Sequence, residues 1–273
     1  MDRRISWWKG VGLSAAIALA SAGVAAESRL VATGSSTVAP VVAELVRTYE
    51  RAHPDVRIDV QTGGSTRGVS DALNGLTDFG MVSRELKPGE ERLHAYAIAH
   101  DGIAVITHRD NPVTGIDRQT LRKVYTGEAR DWGEAGGRAG MPIVVVNKSA
   151  AHSTLELFLK YLGVTPDRVR ADIIIGDNQQ GLKTIAGNPA AIGYVSIGAA
   201  LVARDAGEPL TLMTLDGAAP TIDNVGAGAY PITRPLTIVT REPADGHVQG
   251  LLQLARSEAG GAIIESLSFV PTR

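Results

Sequence analysis

Apolar positions along the chain recur with two periods, one near three to four residues and one of two. Val41, Val42, Leu45, Val46 and Tyr49 repeat at helical spacing behind Pro40, which suits a first helical turn because its missing N–H has no partner there anyway. Val56 to Val60 alternates as a strand does, and Val69, Ala72, Leu73 and Leu76 return to the helical period. Asp78 to Val82 reads as a short buried strand, and Lys87-Pro88-Gly89 as the opening of another helix. Gly102 to Thr107 is a strand broken by the polar run His108 to Pro112. Asp117 then starts a helix through Leu121, Val124 and Tyr125 that stops at Gly127. Met141 to Val146 predicts a strand, and Leu155, Phe158, Tyr161 and Leu162 a helix. The pattern continues with strands at 173–175, 190–195, 210–215 and 236–240, a helix at 178–186, and closing helices near 244–257 and 260–267.

Strands alternating with helices predict α/β layers with largely parallel sheets, and such sheets place ligands at the carboxyl ends of their strands. Several of those ends carry small hydroxyl residues. Thr33-Gly34-Ser35-Ser36-Thr37 runs straight into the first helix, and Thr62-Gly63-Gly64-Ser65-Thr66 into the second. Ser83-Arg84 follows the third strand, and Asn147-Lys148-Ser149-Ala150-Ala151-His152-Ser153-Thr154 joins a strand to a helix. Each turn is either an ordinary N-cap or one wall of an anion cradle, since unpaired first-turn amides and the helix dipole favour negative charge. Arg84 either grips an oxyanion with two parallel N–H bonds or pairs with Asp78 or Glu85 at the surface. Lys148 can supply a charge, His152 an N–H, and Ser153 and Thr154 hydroxyls and amides.

The first 26 residues place Arg3, Arg4 and Lys9 ahead of an apolar run and then small residues, the pattern of a removable secretion leader. What remains is long enough for about two domains. We expect one domain from 27–107 plus 234–273 and a second from 108–233, with crossings after Thr107 and at the proline-rich bridge Tyr230 to Pro235. The net charge of the whole chain is −2 and becomes more negative without the leader, so no basic nucleic-acid surface is expected. A mildly acidic protein must hold an anion through local donors, not its overall field. With no cysteine in the sequence there is no lipid-anchored cysteine, disulfide or thiolate ligand. His53, His94, His100, His108 and His247 lack the spacing of a two-histidine metal motif. His152 beside Ser153 is sequence adjacency, not the geometry of a base and nucleophile. Neither an enzyme, nor a metal, nor a cofactor is expected.

The ordered set Gly34-Ser35-Ser36-Thr37-Val38-Ala39-Pro40, Gly63-Gly64-Ser65-Thr66, Asp78-Phe79-Gly80 with Ser83-Arg84-Glu85-Leu86, Ala191-Ile192-Gly193-Tyr194-Val195 and Tyr230-Pro231-Ile232-Thr233-Arg234-Pro235-Leu236 resembles the periplasmic phosphate-binding proteins of Pst-type ABC transporters. The resemblance implies a two-domain type II periplasmic binding fold, each domain a mainly parallel sheet flanked by helices, with the crossing strands as hinge. It implies a periplasmic monomer that closes on one phosphate and docks on a membrane permease. It also implies a ligand set of Ser36, Thr37, Ser65, Ser83, Arg84, Lys148, His152, Ser153 and Thr154. Where many relatives have Ser-Asp this chain has Ser83-Arg84, and where they have arginine and a Ser-Gly-Thr turn it has Lys148 and His152-Ser153-Thr154. Those departures keep another oxyanion such as sulfate, arsenate or molybdate open, and because a binding domain alone fixes no partner, a phosphate sensor or scavenger uncoupled from transport also stays open.

Overall fold

The structure, a computed structural model, describes residues 28–272; the expected leader, 1–26, lies outside the described residues. Strand β1 (Ser28–Gly34) leads into helix α1 (Ala39–Ala52), β2 (Val56–Thr62), α2 (Ser65–Leu73) and β3 (Phe79–Val82). β1 pairs in parallel with β2 on one side and β3 on the other. α1 buries Val41, Val42, Leu45, Val46 and Tyr49 against them, each large side chain contributing about 1.5–3 kcal/mol of transfer free energy. α2 lies unusually close to the sheet. A Cβ on Gly68 would sit 2.7 Å from the Met81 carbonyl, and one on Gly80 would sit 2.3 Å from the Gly68 carbonyl. Only glycine at both positions lets helix and strand backbones touch.

β4 (His94–His108) is much longer than the strand expected from Gly102 onward; its first half mixes exposed His94, Ala95 and His100 with buried Ile98, Ala99 and Asp101 and carries no clean two-residue period to mark it as a strand. No helix follows Lys87; the residues from Ser83 to Leu93 form a loop tied by the Glu90 carboxylate, which accepts from Arg84 and from the Lys87 amide. After β4 come β5 (Gly115–Ile116), α3 (Arg118–Thr126), β6 (Val144–Lys148), α4 (Ser153–Leu162), β7 (Ile173–Ile175), α5 (Asn178–Ala186), β8 (Ala191–Ser196) and α6 (Ile197–Asp205). β9 (Leu210–Leu212), β10 (Thr214–Leu215) and α7 (Ile222–Gly226) precede the return strand β11 (Thr233–Thr240). α8 (Gly246–Arg256), α9 (Glu258–Ser266) and β12 (Val270–Pro271) end the described chain.

The strands form one curled sheet in the order β2-β1-β3-β11-β4-β8-β6-β7, with β9 and β12 also paired to β4. Its two parallel ends, β2-β1-β3 and β8-β6-β7, are joined by antiparallel β11 and β4. Each end has its own apolar core, one drawing on residues between Ala32 and Ala99 and between Leu236 and Phe269, the other on Ile103 to Ile232. β4 exchanges partners between them: residues to Gly102 pair with β11, and from Ile103 they pair with β8. The changeover therefore falls at Gly102–Ile103, ahead of the expected crossing at Thr107. We call the two ends the first and second lobes. Among the described residues no helix is long and apolar enough to cross a membrane.

Candidate functional site

The carboxyl ends of β1, β3 and β6 converge where the lobes meet, and the turns that follow bring their hydroxyls together. Ser35 Oγ donates to Ser83 Oγ at 2.8 Å and accepts from the backbone amides of Thr37 and Val38. Ser65 Oγ accepts from the Ser83 amide at 3.1 Å. From the opposite lobe, Ser153 Oγ lies 3.0 Å from Ser65 Oγ and 2.8 Å from Ser83 Oγ. The backbone also meets across the seam, where the Thr66 amide donates to the Ala151 carbonyl at 3.4 Å. Gly64, at φ +91°, permits this approach, since a Cβ there would lie 2.2 Å from the same carbonyl oxygen.

The hub of the cluster is Arg234, at the start of β11. Its Nη1 donates to Thr154 Oγ1 at 2.8 Å and to Ser83 Oγ at 3.4 Å, and its Nη2 to Thr37 Oγ1 at 3.1 Å. Behind it, Nε and Nη2 both donate to Asp101 Oδ2, at 3.2 and 2.9 Å. Arg234 and Asp101 face each other in the antiparallel register of β11 and β4, and their side chains are 0% and 1% exposed. Burial raises the Asp101 carboxyl above its ordinary value, and the guanidinium opposes that rise. The other carboxylate oxygen, Oδ1, accepts from the Gly198 amide, so Asp101 turns its back on the cluster.

On the second lobe, β6 delivers Lys148. The Tyr194 hydroxyl accepts from its backbone amide and donates to Asn147 Oδ1, while the Tyr194 ring stacks on Phe158 at 3.7 Å. Lys148 Nζ donates to Asn178 Oδ1 at 3.0 Å, and Asn178 Nδ2 donates across the seam to Thr37 Oγ1 at 3.0 Å. Burial and the nearby Arg234 charge pull the Lys148 amine down to about 7, with Asp177 opposing. His152, mostly buried, is pulled down to about 4 by burial and by Lys148, so near neutrality it carries no charge. Of the two, Lys148 is the group that titrates near neutrality.

Helix starts separate two uses of hydroxyl turns. α3, α5, α6, α7 and α9 are capped by Asp117, Asp177, Ser196, Thr221 and Ser257. α1, α2, α4 and α8 have no side-chain cap from their N-cap residue; the first three open onto the cluster, where Ser35 Oγ takes the Thr37 and Val38 amides ahead of α1.

Of the residues expected at the site, Thr37, Ser65, Ser83, Lys148, Ser153 and Thr154 meet in this cluster, and His152 flanks it. Ser36 is half-buried and lines grooves beside the seam, whereas its neighbour Ser35 enters the cluster. Arg84 is buried but turned aside: Nη1 and Nη2 hold the Glu90 carboxylate at 2.7 and 2.8 Å, and Nη1 also donates to the Glu85 carbonyl. Its Nε lies 3.7 Å from Glu156 on α4, a carboxylate that Lys87 meets at 2.7 Å. Arg234, Asp101 and Asn178 were not among the expected site residues, and Ser35 belonged to the first hydroxyl turn but not to the ligand set that the resemblance implied. A charged residue next to apolar strand positions, Asp101 shortly after Ile98-Ala99 and Arg234 between Ile232 and Leu236, was the available signal for the first two. Among the described residues no group of three metal-ligating side chains occurs.

Two α/β lobes joined by crossing strands, with hydroxyls, helix starts and cations converging on their seam, define a solute-binding protein of the periplasmic-binding class. The chain belongs to the PBP superfamily, whose domain model matches residues 20–258. It is 30% identical over 254 residues to the phosphate-binding protein PstS of Bacillus subtilis, covering 90% of this chain and 81% of that one. A solved structure from Clostridium perfringens, described as a phosphate ABC transporter substrate-binding protein with bound phosphate, superposes with a TM-score of 0.84 at 28% identity, over 90% of this chain and all of that one. An ABC-type phosphate transport receptor from Vibrio cholerae gives 0.71 at 28% identity with 90% and 100% coverage.

Proposed function

We propose that this protein captures inorganic phosphate at the lobe seam and delivers it to an ABC permease, as a secreted, periplasmic, non-enzymatic binding protein. The observation that carries the reading is Arg234, a buried cation that reaches Thr37 on one lobe and Thr154 on the other. An anion lodged there gains from charge-assisted donors of both lobes at once, so capture and closure are one event. The starts of α2 and α4, whose N-cap residues supply no side-chain cap, add first-turn amides to the set. We assign the ligand set to Thr37, Ser65, Ser83, Lys148, Ser153, Thr154 and Arg234, with Ser35 and Asn178 orienting them and His152 beside them; the domain division follows the two apolar cores. The test is calorimetry of stripped protein against phosphate, sulfate, arsenate and molybdate. Saturable binding of phosphate is expected, and no heat with phosphate overturns the reading.

A second reading, capture of a fully ionised oxyanion such as sulfate, draws on the carboxylates. Asp101 is engaged by Arg234 and Glu90 by Arg84, and an anionic acceptor facing the ligand is what penalises an anion that has no proton to donate. Sulfate binding within tenfold of phosphate, about 1.4 kcal/mol, is the outcome that favours it.

A further inference from the structure

Lys148 occupies an uncommon position for an amine. Its side chain is buried, 2% exposed, and the hydrogen bond of Nζ goes to Asn178 Oδ1, a neutral acceptor. The groups that bear on it come from every neighbouring element. Arg234 on β11 repels its charge, and Asp177 at the cap of α5 attracts it. His152, ahead of α4, is pushed toward its neutral form by burial first and then by the lysine. Tyr194 on β8 touches the Lys148 backbone amide and not the amine.

The amide of Asn178 is fixed in direction, because its Nδ2 donates to Thr37 Oγ1 and so its Oδ1 faces the amine. Thr37 Oγ1 in turn accepts from both Asn178 and Arg234, which occupies its two lone pairs and leaves its O–H to donate. Thr37 and Arg234 thus offer donors, and Lys148 is the group among them that can change its proton count. An ammonium buried beside a guanidinium with one neutral acceptor is poorly compensated, and an anion at the seam supplies the missing countercharge.

We propose that Lys148 takes up a proton from solution as the anion enters, so that the site captures its ligand as an anion together with a proton. The balance is simple: the neutral amine, one proton from the buffer and the anion become an ammonium–anion pair, with no bond broken in the ligand. The amine of about 7 in the protein alone rises when an anion lies beside it, so between the two values binding is linked to proton uptake. Affinity then falls as pH rises above neutrality and is level below it, where the amine is already charged. The proposal rests on anion binding at this seam, and its test separates the two.

Calorimetry at about pH 8.5, in two buffers of different ionisation enthalpy, reads the proton count directly. The probes are inorganic phosphate and sulfate, the latter carrying no proton in this range. We expect uptake approaching about one proton and a loss of affinity of up to about tenfold per pH unit toward pH 9.5. Lys148→Arg, whose guanidinium stays charged, should bind with uptake near zero and a level profile. Binding without proton uptake in the unaltered protein overturns the proposal, and so does equal uptake in Lys148→Arg, which would put the proton on the ligand. If Lys148→Arg does not fold, sulfate with the unaltered protein decides, because any proton taken up must then lie on the protein and His152 titrates far below. Sulfate binding with uptake but no phosphate binding keeps the proposal and overturns phosphate as the ligand; no binding of either anion overturns both.

Discussion

Replacing Arg234 by methionine strands Asp101, and the cost can be worked from the geometry. The aspartate side chain is 1% exposed and loses both guanidinium donors, while its Oδ1 keeps the Gly198 amide. Leaving a buried charge unpaired costs about 3–5 kcal/mol, which for a chain of this size lowers Tm by roughly 6–20 °C. Thr37 keeps Asn178 as a partner while Thr154 loses its Arg234 donor, a hydrogen bond to a neutral hydroxyl and smaller than the stranded charge, so the loss is mainly electrostatic. The sign with pH follows. Burial already raises the Asp101 carboxyl, and removing Arg234 removes the main opposing charge. A carboxyl whose folded value lies above its unfolded one is most stable protonated, so the deficit should shrink as pH falls and grow as pH rises through the folded value. Arg234→Met with Asp101→Asn deletes the charge while keeping an acceptor for Gly198, and should recover most of the loss. Both variants should lose phosphate binding, so stability and binding separate. Denaturant unfolding at several pH values is the assay. A single-variant loss below about 1 kcal/mol, or a double variant no more stable than the single one, refutes the reasoning.

Arg84→Ala should change phosphate affinity by less than about threefold in calorimetry, because its guanidinium is committed to Glu90; a tenfold loss would return Arg84 to the cleft. Gly64→Ala drives a methyl into the Ala151 carbonyl across the seam, so we expect affinity to fall by at least about tenfold, with less compaction on ligand addition in small-angle scattering. Glu156→Gln removes the half-exposed link to Lys87 and should speed ligand release in stopped flow by no more than about fivefold, an effect that disappears in high salt. Thr154→Ala should cost about 1–2 kcal/mol of binding and Ser36→Ala distinctly less, since Thr154 takes an Arg234 donor and Ser36 lies beside the seam.

Elements with a marked apolar face and local stop signals were legible in the sequence. α3 runs as its Asp117 cap and left-handed Gly127 dictate, and α4 follows its Leu155, Phe158 and Leu162 stripe. α6 was not seen, because small residues such as Gly198, Ala199, Ala200 and Ala203 give it little contrast between faces. The hydroxyl turns were legible because each is local. Arg234 and Asp101 were not, since residues 133 apart become partners only through the register of β11 on β4. For Arg84 the difficulty is the opposite one: Glu90, six residues later, pairs with it within its own loop, and composition does not say which way a guanidinium turns.

The close packing of α2 on the sheet carries a consequence for how such a protein can change over generations. With Gly68 against the Met81 carbonyl and Gly80 against the Gly68 carbonyl, the first wall of the seam is fixed backbone to backbone, and nearly any substitution there moves Ser65 and Ser83 together. The second wall is held by side chains, Lys148 on Asn178 and Tyr194 under β6, which can be exchanged one at a time. Heritable retuning of ligand preference is therefore cheap on one side and nearly forbidden on the other. A saturation library selected for a new oxyanion should accumulate its changes at Lys148, His152, Ser153 and Asn178, and leave Gly68 and Gly80 untouched.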